Sequence, residues 1–477
     1  MKLFRAFSSQ ASGRHRVLAR PPQRVFLVQM ISRRYCLAAV TLFAVQSMVA
    51  LAGALDLVIP DLPSPIPFEF GRAIHLGFAV LWPLIGTMGM VYYFTAAELN
   101  REVFSPRLAR WQFGIVLTFA LSVYLSLSLR IGNGREYLEG MPLLYLGIGL
   151  ALLLAAYNLV RTLWADKHHI TPAAAIMTVG VLFLLILLLP NALHYNNPTL
   201  DEAAKFWVVH LWEEMAFELT TAGFIATFFI VSGLAVREQV EKWLYLEAGL
   251  AVSGGLYSTG HHYFWIGVPS LWLLLGTLIS LLEVVPVAML VQMTYVGFKS
   301  SKLSSKTGIK SKREKLTLWL ILSSLIYHVL GASVLGLMIT IPWVNLYVHG
   351  TYTTSAHAHL ALFGSMGFLV LAACYYILSW GSEPTAKGYK AGVLAVLLLN
   401  IGLIGMGTAL LVAGFVQTYL WRILGQDFMQ VRFHLTPYLL ARVLAGGVFA
   451  LGDFLLIWQI YTAWWRTRKQ NSPSSGH

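Results

Sequence analysis

Long apolar runs alternate along the chain with short turn-rich or basic connections. The runs start near residues 35, 72, 111, 142, 171, 206, 243, 271, 315, 353, 388 and 435. A helix needs about 20 apolar residues to cross roughly 30 Å of hydrocarbon, whereas a barrel strand needs only about 10 of alternating character. The runs have helix length, so the pattern predicts an all-α integral membrane protein, a bundle of twelve transmembrane helices. No soluble domain of useful size remains between them, and no internal repeat is visible.

Composition supports this reading: 57% of the 477 residues are hydrophobic and only 12% charged, with a mean hydropathy of +0.67. A soluble domain carries about twice that share of charge. The net charge of +13 raises nucleic-acid binding as a possibility, but the cations flank apolar spans. They cluster in the tail holding Arg5, Arg14, Arg16, Arg20, Arg24, Arg33 and Arg34, in the loop from Lys299 to Lys315, and at Arg466, Arg468 and Lys469. Positive-inside topology accounts for all three and predicts no nucleic-acid partner. Residues 1–34 then form a basic cytoplasmic tail, 35–466 the membrane domain and 467–477 a cytoplasmic C-terminal tail. The turn-rich segments GNGREYLEG, NALHYNNPTLDEAAK, GVPS and PWVNLYVHGTYTT fall on the opposite, outer face. Cys36 and Cys374 both lie in apolar segments, so there is no disulfide framework and no CxxCH site for covalent haem c.

Placed on this topology, six histidines from four helices share one depth near the outer face: His75, His210, His261, His262, His357 and His359. Ionisable or ligating side chains inside a membrane are costly and usually face the bundle interior, where imidazole suits iron and copper. One such histidine reads most simply as a hydrogen-bonded core residue; six at one level do not. In the HAH motif, His357 and His359 are about 200° apart around a helix of 3.6 residues per turn. One helix can therefore ligate two haems, one on each side. A low-spin haem needs a second axial ligand, for which His75 is placed, and a high-spin haem with one histidine keeps an open position for substrate. In HLWEEMAFE, Glu214 follows His210 by four residues, so the two share a face. With His261 and His262 they make a site of three histidines and one carboxylate, which suits iron better than copper because carboxylate is a hard ligand. Glu218 is another turn along that face, and Glu283 lies within the eighth span; either could carry protons. Glu213 points about 100° away from Glu214. His328 reads as structural, and His168 and His169 as facing water.

HLWEEMAFE, STGHHYFWIGVPSLW, HGTYTTSAHAHLALFG, GRAIHLGFAVLWPLIGTMGMVYY and GREYLEG together resemble the large catalytic subunit of cytochrome c-dependent nitric oxide reductases, within the haem-copper oxidase superfamily. The resemblance spans nearly the whole chain. It implies a twelve-helix bundle of the haem-copper oxidase type in a bacterial inner membrane, with the active site towards the periplasm. It also implies that His75 and His359 hold a low-spin haem b, His357 a high-spin haem b, and His210, Glu214, His261 and His262 a non-haem iron. Glu218 resembles a second active-site glutamate implicated in proton supply, and Glu136 of GREYLEG a calcium ligand near the haem propionates. The implied reaction reduces two NO to N₂O and water with electrons from a membrane-anchored haem c subunit. The chain departs from the family at Glu213, Met215, Phe217 and Tyr257, which changes the pocket beside the iron and leaves every ligand in place.

Three other readings compete. A nitric oxide dismutase would resemble quinol-dependent reductases with altered iron ligands, and the full ligand set disfavours it. An oxygen reductase of the same superfamily pairs copper with a redox-active tyrosine. No tyrosine occurs in the turns after His210, but the cbb-type enzymes take theirs from the seventh span, where Tyr257 lies. A transporter or channel would call for paired, Gly/Pro-interrupted segments at the midplane, which are not evident.

Overall fold

In the computed structural model the described residues are 25–59 and 66–471, except 283, 286, 287, 290, 293, 294 and 296–310; the side chains of 467–471 are also left aside. The tail arginines up to Arg24, the loop lysines from Lys299 to Lys310, and Glu283 lie outside the described residues.

The chain is built from helices α1 (Leu27–Val58), α2 (Phe68–Leu99), α3 (Pro106–Ser128), α4 (Pro142–Trp164), α5 (Pro172–Ala192) and α6 (Pro198–Val231). These are followed by α7 (Arg237–Ser258) and α8 (Ser270–Leu282). The remainder are α9 (Lys312–Thr340), the short α10 (Pro342–Val348), α11 (Tyr352–Leu378), α12 (Ala386–Ile423) and α13 (Phe428–Asn471). Among the described residues ten of these, α1 to α6, α9 and α11 to α13, are long and apolar enough to cross a membrane. The two other expected spans are also helical, as α7 and α8. The first turns of α7 are highly charged (REQVEK), and α8 is described over 13 residues.

Local chemistry sets the helix starts. Ser105, Thr171 and Asn197 each precede a proline, and their side-chain oxygens accept the otherwise orphaned amides of Leu108 (3.2 Å), Ala174 (3.4 Å) and Leu200 (3.3 Å). Proline suits the first helical position because it lacks only an N–H that would be unpaired there. The first helix starts eight residues earlier than the apolar run alone indicates, at Leu27 rather than Tyr35, so Arg33 and Arg34 belong to it and not to the tail. Arg33 is accommodated by reaching back: its guanidinium donates to the carbonyl of Trp380 (2.9 Å) and lies 5.6 Å from the centroid of that indole. A long basic side chain can snorkel in this way without ending the helix.

Burial separates inner from outer helices. The membrane windows of α2, α6 and α11 are 83%, 83% and 78% buried, against 28% for α3 and 39% for α13. Leu143, Leu146, Leu150 and Leu153 form an exposed stripe along α4, with Trp164 exposed at its end, as expected of a lipid-facing helix with an interfacial aromatic. The hairpins α1–α2 and α12–α13 are extensively packed, and α13 also packs against α1. The three inner helices carry His75, the His210/Glu214 pair and the HAH motif, so the architecture places the candidate chemistry at its most enclosed point.

Candidate metal and haem centre

Widened, π-type turns interrupt α6 at Trp212–Phe217 and α11 at His359–Gly367. Such turns weaken the regular ladder and recur at functional sites. The one in α6 follows His210 and contains Glu214; the one in α11 begins on His359 itself.

His210, Glu214, His261 and His262 each present a ligand atom, and these atoms all lie within 4.8 Å of one another. Oε1 of Glu214 is 3.5 Å from Nδ1 of His210 and 3.8 Å from Nε2 of His261. The ring centroid of His210 lies 4.9 and 5.0 Å from those of His261 and His262. Outward-facing hydrogen bonds fix which nitrogen of each ring is available. Nε2 of His210 lies 3.0 Å from the Gly255 carbonyl. A carbonyl only accepts, so Nε2 carries the proton and the lone pair sits on Nδ1. That Nδ1 is buried and meets no hydrogen-bond partner among the described residues. His261 bonds through Nδ1 to Ser280 Oγ (2.8 Å), which turns its Nε2 towards the cluster. His262 stacks on Phe206 at 5.0 Å and 11°. Convergent lone pairs held by hydrogen bonds behind the rings are the usual support of a metal site, and the donor set fits an iron ion.

Glycine makes the local approach possible. A Cβ on Gly276 of α8 would stand 2.3 Å from the His261 backbone nitrogen, and one on Gly260 only 1.8 Å from the Trp272 carbonyl oxygen. The two backbones therefore touch, and this contact seats the His261–His262 turn. Ser280 is one turn beyond Gly276 and so reaches His261.

The HAH motif divides as its spacing predicts. His359 faces His75, with ring centroids 6.0 Å apart. Two imidazoles axial to one haem iron place their centroids about 6 Å apart, since each iron–nitrogen bond is roughly 2 Å and each ring adds a little over 1 Å. His357 lies on the other side, within electrostatic reach of His261 and His262. Nδ1 of His359 donates to the Ser355 carbonyl (2.8 Å) and Nδ1 of His357 to the Gly331 carbonyl (2.9 Å). Both therefore keep Nε2 free to ligate. The Gln46 amide nitrogen sits 3.1 Å from Nδ1 of His75. Arg442 of α13 is within electrostatic reach of His75 and His359. A guanidinium at this depth fits the carboxylates of a haem. The residues present thus fit two haems beside the metal cluster.

The remaining candidates lie outside the cluster. Glu136 lies in the outer loop, with Oε1 2.5 Å from Arg72, whose other nitrogen is 3.9 Å from Glu139. Arg135 clamps that loop, donating to Asp201 (2.7 Å), Asn191 and Leu193. Glu213 stays out of the cluster, within electrostatic reach of Tyr137 in the same loop. Tyr257 is 47% exposed on the outside of α7, so it does not face the histidines. His328 is buried with Nδ1 3.0 Å from the Ser324 carbonyl, a structural contact. His168 and His169 are exposed, and His169 pairs with Asp166 at 2.7 Å. Sequence reasoning passed over Arg442 and Glu247. Glu247 is 1% exposed in α7 and within electrostatic reach of Glu218. The available signal was an acid inside the apolar stretch LYLEAGLAV, which is costly in a membrane.

Comparison with known proteins agrees with this geometry. The sequence model of the cytochrome c and quinol oxidase polypeptide I family matches residues 30–448. A nitric oxide reductase subunit from Stutzerimonas stutzeri is 30% identical over 454 residues, covering 90% of this chain and 94% of that one. A cbb3-type cytochrome c oxidase subunit from the same organism is 23% identical over 461 residues, covering 88% and 91%. A cytochrome c oxidase subunit 1 homolog of Agrobacterium tumefaciens (strain T37) is 23% identical over 467 residues, covering 90% and 82%. In fold, the chain is similar to a haem-copper terminal oxidase solved as a dimer by cryo-EM, with a TM-score of 0.70 at 16% identity over 92% of this chain and 84% of that one. The resemblance read from the motifs is therefore shown, and the chain belongs to the cytochrome c and quinol oxidase polypeptide I family of haem-copper oxidoreductases.

Proposed function

We propose that this chain is the catalytic subunit of a nitric oxide reductase, carrying out 2 NO + 2 H⁺ + 2 e⁻ → N₂O + H₂O. The observation that carries the reading is the carboxylate of Glu214 among three histidines. A fourth, hard, anionic ligand favours iron over copper, and copper is the metal an oxygen reductase of this superfamily needs. In this reading His75 and His359 hold a low-spin haem b, His357 a high-spin haem b, and His210, Glu214, His261 and His262 the non-haem iron. When bound, the high-spin haem and the non-haem iron supply two adjacent metal centres at which NO is reduced.

The chain's own residues then have definite tasks. The hydrogen bonds behind His210, His261, His357 and His359 fix each ring before a metal arrives, which limits reorganisation during the reaction. Glu214 contributes a negative charge beside the reacting gas. Glu218, one turn along α6, holds a proton on the inner side of the cluster. Glu136, with Arg72 beside it, takes the position of a calcium ligand at the outer face. The bundle crosses a bacterial inner membrane twelve times, with α7 and α8 among the spans, both termini cytoplasmic and the site towards the periplasm. Electrons come from a membrane-anchored haem c subunit docked on the outer loops, because the chain has no CxxCH of its own.

The related cbb3-type subunits make oxygen reduction the second reading. It needs a tyrosine at the site, and Tyr257 turns outward. Metal analysis of the purified complex separates the two: stoichiometric non-haem iron with negligible copper is expected, and stoichiometric copper would overturn the proposal.

A further inference from the structure

A buried carboxyl group, Glu247, and a half-buried one, Glu218, meet on the inner side of the histidine cluster, away from the outer loops. Gly255 of α7 packs on the backbone of α6 at Glu214 and Met215, where a Cβ would be 3.2 Å from the Glu214 carbonyl oxygen. From that contact the buried face of α7 runs back through Ala251 to Glu247. Because α6 is antiparallel, its chain runs in the same direction from Glu214 to Glu218. Glu247 is eight residues from Gly255, a rise of about 12 Å along the helix, so its carboxyl lies on the inner side of the cluster. There it comes within hydrogen-bonding reach of the carboxyl of Glu218. Its Oε1 is buried and meets no protein hydrogen-bond partner among the described residues.

The chemistry of this contact is restrictive. An ionised carboxylate only accepts hydrogen bonds, so a carboxyl–carboxyl hydrogen bond requires a proton on one of the two groups. Two adjacent negative charges in a membrane interior are strongly disfavoured, and such dyads share one proton. We infer that Glu247 and Glu218 form a single proton-holding pair, in which Glu247 is a positioning residue that loads Glu218 from the inner side of the cluster.

The transfer is Glu247–COOH + Glu218–COO⁻ → Glu247–COO⁻ + Glu218–COOH. The proton moves along the hydrogen bond between them, and the pair keeps a net charge of minus one. The orphaned Oε1 is the end at which Glu247 takes up its next proton. Each proton passed on by Glu218 is one of the two consumed per N₂O formed, so the delivery step rests on the nitric oxide reductase reading. Proton sharing itself does not.

The test uses the purified complex and two readouts. Infrared spectra in H₂O and D₂O should show a protonated-carboxyl C=O band in the wild type that shifts on exchange. The band should shift in frequency in Glu247→Gln and in Glu218→Gln, where the carboxyl left behind loses its carboxyl partner, and stay near the wild-type position in Glu247→Asp, which can hold the proton on a shorter arm. A wild type without the band, or a band that both Gln changes leave unshifted, would overturn the pair. NO consumption should fall at least tenfold in Glu247→Gln with iron and haem content retained, and recover in part in Glu247→Asp. Wild-type turnover in Glu247→Gln would overturn delivery even if the band behaves as expected. A wild type that consumes O₂ and not NO would sink the functional reading instead, and the infrared result would still decide the pair.

Discussion

Glu214 stands with Oε1 3.5 Å from Nδ1 of His210, one widened helical turn away and on the same face of α6. The pair can hold a metal because the other nitrogen of His210 is already committed to the Gly255 carbonyl. If Glu214 ligates, Glu214→Gln replaces an anionic ligand with a neutral amide of similar volume and leaves the metal one negative charge short. Non-haem iron should drop well below stoichiometry while both haems stay bound. Iron and haem determinations on the variant check this, and full iron with wild-type turnover would remove the main ground for preferring NO over O₂ as substrate.

The 6.0 Å separation of the His75 and His359 rings leads to a second expectation. If the two rings hold one low-spin haem, as proposed, His75→Ala removes one of its ligands and touches none of the residues around Glu214. The bis-histidine optical and paramagnetic signature should disappear, and non-haem iron should stay near the wild-type amount. A low-spin spectrum that persists in this variant would show that His359 has a different partner.

Glycine positions give a third. A methyl group on Gly276 would lie 2.3 Å from the His261 backbone nitrogen and 2.4 Å from the Gly260 carbonyl carbon, whereas one on Gly249 meets nothing within 4 Å. Overpacking typically costs about 1–3 kcal/mol, and here both sides are backbone. Gly276→Ala should lower thermal stability and displace the His261–His262 turn, so iron occupancy falls too. Gly249→Ala, in a helix, should be neutral or raise stability by up to about 1 kcal/mol. Thermal melts and iron content of the two variants, measured side by side, check the assignment.

The residues of the cluster were legible in the sequence because a histidine or glutamate inside an apolar helix has few reasons to be there, and because spacing on one helix is arithmetic. His210 with Glu214, and His357 against His359, needed no tertiary information. What depends on register between helices was not legible. The contact of Glu247 with Glu218 follows from how α7 slides against α6, and the approach of Arg442 to His75 and His359 from how α13 crosses the bundle. The start of α1 was misplaced because Arg33 looks like the end of a basic tail until the Trp380 carbonyl that receives it is seen. Tyr257 kept the oxygen-reductase reading open only while its face on α7 was unknown.

That face supplies the last prediction. Tyr257 is one turn before His261 in sequence, close enough to suggest a redox-active tyrosine beside the metal. It is nevertheless 47% exposed, while Gly254, Gly255 and Ser258 are the residues that α7 buries there. A phenol on the outer surface of α7 cannot give an electron and a proton to a gas bound among His210, His261 and His262 without the helix turning about its axis. Turning would expose Glu247 and separate it from Glu218. Tyr257→Phe should therefore leave metal content, haem spectra and the rate of NO consumption within about twofold of the wild type, since exposed substitutions away from special contacts usually change little. A loss of turnover of tenfold or more, or loss of a tyrosyl radical signal seen in the wild type, would put Tyr257 at the site and return oxygen reduction to first place.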